Sequence, residues 1–313
     1  MLHNEFETIN ERRHLHMNNE VFIGAIEAGG SKIVCTVGRD WKEICDSEKY
    51  IVPTTTPDET ITRVLDWFEI RNREHTINAF GVATFGPVDF ATKSIGMTTP
   101  KKAWRGFSWQ NSIDERFPAL PIGYDTDTNA AGIAEWRWGI AKDRRVVVYV
   151  TVGTGIGGGL IIDGAPVHGL LHPEFGHMFV PRQDGDEFVG TCPAHGHCLE
   201  GLASGFAVNR RRQQNDSMNR WTISQWDLES EYLSLAMANV ISVASPEIII
   251  LGGGIMNVER LLQKVRGRTK ELLSGYIAKE ELGRRINEYL VSPALGASSG
   301  VVGAFALGFD AIH

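Results

Sequence analysis

The strongest constraint on this chain is one design written twice: a strand, a glycine turn and a second strand. VFIGAIEAGG runs as a buried strand into a glycine turn, and SKIVCTVG continues with β-branched residues, so the segment predicts a hairpin. RVVVYVTVGTGIGGGLIIDG, residues 145 to 164, repeats it. Two such hairpins, far apart in sequence, predict two halves built alike. A third glycine cluster, in EIIILGGGIMNVERLLQKV, closes a strand and leads into a helix. FGVATFGPVDF reads as a strand ending in a Gly-Pro loop. IGYDTDTNAAGIAEWRWGIA reads as a strand, an acidic loop and an Ala-rich helix that Thr128 or Asn129 can cap. The tail LGASSGVVGAFALGF is a helix of small residues suited to close packing. Strand-like and helix-like patterns thus alternate, which predicts an α/β architecture.

The glycines carry a choice of chemistry. Gly153 to Gly158 contains a literal G-x-G-x-x-G, but a dinucleotide fingerprint needs a helix next, and the strand-like GLIIDG follows. Gly29-Gly30-Ser31-Lys32 has the residue types of a P-loop tail in the wrong order, again before a strand. Both nucleotide motifs are therefore rejected. The glycines could simply permit tight turns. Three clusters ending strands also leave backbone N–H groups able to cradle phosphate oxygens, with Lys32, Ser31 and Thr154 adding charge and hydroxyls. Asp127, in Asp125-Thr126-Asp127-Thr128-Asn129, can be a turn residue like most such acids, or a general base facing a phosphate donor.

Half of the four cysteines fall in CPAHGHCLEG, residues 192 to 201. Cys192, His195 and Cys198, with His177 upstream, supply the four ligands of a tetrahedral zinc site. His197 competes with His195, whose even spacing between the cysteines favours it. Cys35 and Cys45 lie in or near strand-like segments and read as core. Without a secretory signal, this cysteine usage predicts a reducing cytoplasm, where clustered Cys and His favour metal over disulfide. The opening residues 1–20 are polar and lack an apolar signal core, and read as a disordered leader or an over-extended start. A net charge of −7 argues against nucleic-acid or anionic-membrane partners, and Arg210-Arg211-Arg212 reads as a solvated helix face. No apolar run reaches the roughly 20 residues that span a bilayer. At 313 residues and 42% hydrophobic, the chain can bury the cores of two domains.

In order, IEAGGSK, ATFGPVD, TTPKKAW, DTDTNAA, VGTGIGGG, HPEFGH, the loop ending CLEG, and ILGGGI resemble the ROK family of repressors, open reading frames and kinases, and within it the bacterial fructokinases. The resemblance runs from Val21 to the C-terminus. It implies two actin-like (ribonuclease H-like) domains around a cleft: a small one of residues 21–126 plus 298–313, and a large one of 127–297 with the zinc loop. It further implies Asp127 as general base, with Glu174, His177, Glu200 and Asn129 on the sugar. His177 would also ligate zinc with Cys192, His195 and Cys198. Gly29, Gly30, Ser31 and Lys32 resemble the first phosphate loop, and Gly153, Thr154, Gly155 and Gly157 the second. Gly252, Gly253 and Gly254 resemble the adenosine side.

The implied reaction is transfer of the γ-phosphate of ATP, with Mg²⁺, to the C6 hydroxyl of a free hexose, fructose first. Glucose, mannose or an N-acetylhexosamine are the alternative acceptors, and a non-catalytic sugar sensor the alternative role. A homodimer is also implied. DNA binding is not, since ROK repressors carry an N-terminal helix-turn-helix domain for which the polar leader has no room. The chain departs from many family glucokinases in having Glu27 for Asp, Thr126 for Asn before the base, and His195 for a cysteine of the metal loop. These departures resemble the fructokinase branch.

Overall fold

The computed structural model describes residues 21–214, 223–277 and 279–313; the leader expected at 1–20 lies outside the described residues. The first half runs β1 (Phe22–Ala28), β2 (Lys32–Gly38), α1 (Trp41–Asp46), β3 (Tyr50–Pro53), α2 (Pro57–Glu74) and β4 (Ile77–Thr84). A small hairpin follows, β5 (Val88–Asp89) and β6 (Ser94–Ile95), then α3 (Trp109–Arg116) and β7 (Ile122–Thr126). Helix α4 (Asp127–Trp138) crosses to β8 (Val146–Val152), β9 (Ile156–Ile162) and β10 (Ala165–Pro166). Then come α5 (Leu199–Ala203), α6 (Gly205–Gln214), α7 (Ile223–Ala244), β11 (Ile248–Gly252), α8 (Leu261–Leu273), α9 (Lys279–Tyr289) and β12 (Leu290–Val291). Helix α10 (Ser299–Asp310) closes the chain.

Both expected hairpins form, and each starts a five-stranded sheet of the same order. The first sheet is β3-β2-β1-β4-β7 and the second β10-β9-β8-β11-β12. In each, three strands are antiparallel neighbours and two more add in parallel to the first. The central strands are buried along nearly their whole length because helices cover both faces. This is the mixed α/β architecture that the alternation predicts.

Three cores result. Between the sheets, α4 and α10 pack with β1, β4, β8 and β11 through residues such as Ala25, Ala134, Ile250 and Phe305. Outside the first sheet, α2 and α3 bury Phe68 and Trp109. Outside the second, α5, α7 and α8 bury Leu202, Tyr232 and Val265. The small residues of the C-terminal helix matter here: a Cβ on Gly81 of β4 would fall 1.7 Å from the Ala304 carbonyl oxygen of α10. Only glycine permits that approach.

Two local expectations are corrected. Helix α4 is capped by Thr126, whose hydroxyl accepts from the Asn129 amide at 3.1 Å, so neither Thr128 nor Asn129 is the cap. The helix begins directly at the strand end and carries Asp127 on its first turn. Arg211 is not on a solvated face. It is 8% exposed, paired through both terminal nitrogens with Asp186 at 2.6 and 2.8 Å, and lies 4.1 Å over the Phe188 ring. Its partners come from a distant loop, so helix position alone does not reveal them.

Candidate active site

Both glycine turns are tied down from outside. In the first, the Thr54 hydroxyl donates to the Gly29 carbonyl at 2.8 Å and the Thr54 amide to the Ser31 carbonyl at 3.0 Å. In the second, the amides of Gly205 and Phe206, opening α6, donate to the carbonyls of Gly153 and Thr154 at 2.7 and 3.2 Å. With their carbonyls held outward, the turns face one another: the Ser31 and Thr154 hydroxyls are 2.9 Å apart. Lys32 opens β2 and is exposed beside them. Gly155 abuts Glu200, whose Oε2 accepts from the Ile156 amide at 2.9 Å. Gly157 lies within β9 opposite Thr151. Its missing side chain admits Thr128 of α4, since a Cβ there would sit 2.8 Å from the Thr128 methyl. The third cluster ends β11: Gly252 is the last strand residue, Gly253 takes φ +91° and Gly254 starts a 3₁₀ turn.

A cavity of ≈ 140 Å³ borders the third cluster, walled by Glu27, Asp127, Tyr149, Thr151, Gly253 and Gly300 among others. Asp127 is half-buried on the first turn of α4. Burial pushes its carboxyl up to about 7, against the pull of the Thr128 amide and its own. Glu27 also rises to about 7, through burial and then the charge of Asp127, opposed by Lys32 and the Val301 amide. Glu174, with 39% of its side chain exposed, reaches about 7 through partial desolvation and then the charges of Glu200 and Asp127. Glu27, Asp127, Glu174 and Glu200, drawn from both halves, thus lie within reach of one another's charge. A carboxyl titrating near neutrality can take a proton from an alcohol and release it again.

The four Cys/His side chains come together. His177 Nδ1 lies 3.6 Å from Cys192 Sγ and 3.5 Å from Cys198 Sγ, and His195 Nδ1 is 3.7 Å from Cys192 Sγ. All four ligand atoms fall within 4.8 Å of one another. Tetrahedral zinc with ordinary Zn–S and Zn–N bonds needs N···S edges of about 3.6 Å. His195 joins this group and His197 does not, though both rings pack against Phe179. Cys35 is a core residue in β2, and Cys45, in α1, is partly buried against the core between the sheets.

Asn129 lies apart from the open cleft. It is fully buried, and its amide donates to Asp125 Oδ1 at 2.7 Å. Among the residues that the motifs miss, Gly296, Ala297 and Gly300 bring the start of α10 into the cavity wall. Glu135 holds that wall: fully buried, it accepts from the amides of Ile140, Ala294 and Leu295 and from the Ser299 hydroxyl at 2.8–3.1 Å. A buried glutamate in an Ala-rich helix was the one available signal.

Comparison with known proteins gives a coherent picture. The model of the ROK family matches residues 23–310. The chain is 38% identical over 305 residues to the fructokinase of Zymomonas mobilis, covering 94% of this chain and 98% of that protein. It is 36% identical over 291 residues to the fructokinase of Pediococcus pentosaceus, covering 92% and 97%. Among solved structures, the ROK family glucokinase from Streptomyces griseus, in complex with glucose and AMPPNP, aligns at TM-score 0.74 and 23% identity over 92% of this chain and 99% of that one. The ROK hexokinase from Thermus thermophilus aligns at TM-score 0.72 and 24% identity, covering 93% and 99%.

Proposed function

The chain belongs to the ROK family, and from that premise we propose that it is an ATP-dependent hexose kinase acting on fructose at the C6 hydroxyl, with Asp127 as general base. The observation that carries this reading is the place of Asp127, on the first turn of α4 and in the wall of a cavity shared with Glu27 and Gly253. The relatives named as fructokinases supply the acceptor.

In the proposed reaction Asp127 takes the proton of the C6 hydroxyl as that oxygen bonds to the γ-phosphorus. The bond from the γ-phosphorus to the bridging oxygen breaks, and ADP leaves. Ser31, Lys32, Thr154 and the turn amides hold the phosphate chain, and Gly253 and Gly254 border the adenosine side. Glu174 and Glu200 bind sugar hydroxyls, with His177 beside them. Mg²⁺ accompanying the nucleotide would supply positive charge to the phosphates, and the Glu27 carboxylate in the same cavity wall would suit such a hard cation while Asp127 stays free to act as base. Zinc suits the His177, Cys192, His195 and Cys198 donors, and would fix the loop leading into α5 and Glu200. Residues 21–126 with 298–313 close against 127–297, excluding water that would otherwise accept the phosphate.

A panel of fructose, glucose, mannose and N-acetylhexosamines, with coupled detection of ADP, tests the assignment. Fructose should give the highest kcat/KM. A higher value for any other hexose would replace the acceptor, and sugar binding without turnover would replace catalysis by sensing.

A further inference from the structure

The segment between β10 and Glu174, residues 167–173, belongs to the second half but reaches over the first. The Val167 amide donates to Leu160 of β9 at 2.8 Å, which fixes its start. From there two histidines cross. His168 Nε2 lies 3.0 Å from Oδ2 of Asp125, at the end of β7. His172 Nε2 accepts from the Val88 amide at 3.2 Å, and that ring is 5% exposed. Phe90, in the loop after β5, packs against both rings, with centroids 4.1 Å from His168 and 6.1 Å from His172.

Asp125 is an unusual partner for an exposed histidine. Its side chain is 3% exposed, and Oδ1 is engaged by the Thr126 amide and the Asn129 side chain at 2.7 Å each. Oδ2 has His168. The pairing therefore joins the base of α4, two residues from Asp127, to the loop that delivers Glu174. We infer that His168 is a positioning residue: its bond to Asp125 straps residues 167–173 across the cleft and so sets where Glu174 stands and how tightly the sugar is held. The inference rests on the reading of Glu174 as a sugar ligand, but the strap itself is a property of the sugar-free protein.

Removing the imidazole leaves a buried carboxylate oxygen without its donor and the strap without one of its two histidine crossings. The loss of a hydrogen bond to a charged acceptor corresponds to about tenfold or more in an equilibrium. Three variants of the full chain separate the contributions: His168→Ala, His168→Phe, which keeps a ring against Phe90 without a donor, and His168→Gln, which keeps a donor without the ring. The Ala and Phe variants should raise the KM for fructose about tenfold or more, with KM for ATP and kcat within about threefold of the parent. The Gln variant should restore most of the loss. Equal sugar KM in all four proteins, or equal losses for sugar and ATP, would overturn the inference.

If the parent enzyme prefers another hexose, the same comparison with that hexose decides the point, and only the acceptor assignment fails. If no hexose is turned over, hydrogen exchange on the ligand-free proteins decides it. Amides of 167–174 should exchange faster in Ala and Phe variants than in the parent and Gln variant, and unchanged exchange refutes the strap.

Discussion

Asp127 stands where a strand becomes a helix, so its proton is under two opposed influences. Loss of water raises its carboxyl to about 7, while the amides of the first helical turn oppose that rise. A base must be deprotonated, so kcat/KM should fall as pH drops through about 7, as a pH–rate profile will record. Asp127→Asn should lower kcat by about 10²- to 10⁴-fold with ATP affinity, measured by calorimetry, unchanged. Glu27, Asp127 and Glu174 each hold a proton to higher pH folded than unfolded, all three reaching about 7. The native state therefore binds more protons between about 4.5 and 7, and the ligand-free protein should lose stability as pH rises across that window. Urea unfolding at stepped pH checks this, and Glu27→Gln should flatten the slope. Asp186, which burial would raise but Arg211 and Tyr232 hold low, acts only at more acid pH.

Among the elements, the Cys/His loop and helix α10 do different work. Purified protein should contain one zinc per chain by elemental analysis. Cys198→Ser or chelation should lower the Tm and raise the sugar KM more than the ATP KM, because the ligands flank Glu174 and Glu200. Gly81→Ala should cost about 1–3 kcal/mol or more in urea unfolding, since its Cβ would strike the backbone of α10. What sequence discloses about these elements follows how local each signal is. The hairpins, the strand-to-helix step at Asp127 and the Cys/His set lie in short segments with fixed spacing, or one upstream residue away. Arg211 on Asp186, Glu135 on the Pro293–Ser299 connection and Glu27 against Gly300 join distant segments. Their residue types are ordinary in isolation, and only topology makes them partners. The cap differs by a smaller margin: at Thr126 it stands two or three residues before the Thr128 or Asn129 that an acidic loop suggests.

For the whole molecule, the repeated sheet order places both glycine turns on the same cleft, and the Ser31–Thr154 hydroxyl pair spans it. Ser31→Ala and Thr154→Ala should each raise the ATP KM several-fold with little change in sugar KM, since each removes a hydroxyl from one rim of the proposed phosphate cradle. Fructose together with a non-hydrolysable ATP analogue should shrink the radius of gyration in solution scattering more than either alone. The placement of α10 reaches further. It lies on β1, β4 and β7, whose strands are made before the second sheet, while the helix emerges after all of that sheet. The first sheet must therefore wait on the ribosome with the part of its face that α10 covers left open until Ser299–Asp310 has been made, and a nascent chain stalled before Ser299 would be a natural client for chaperones.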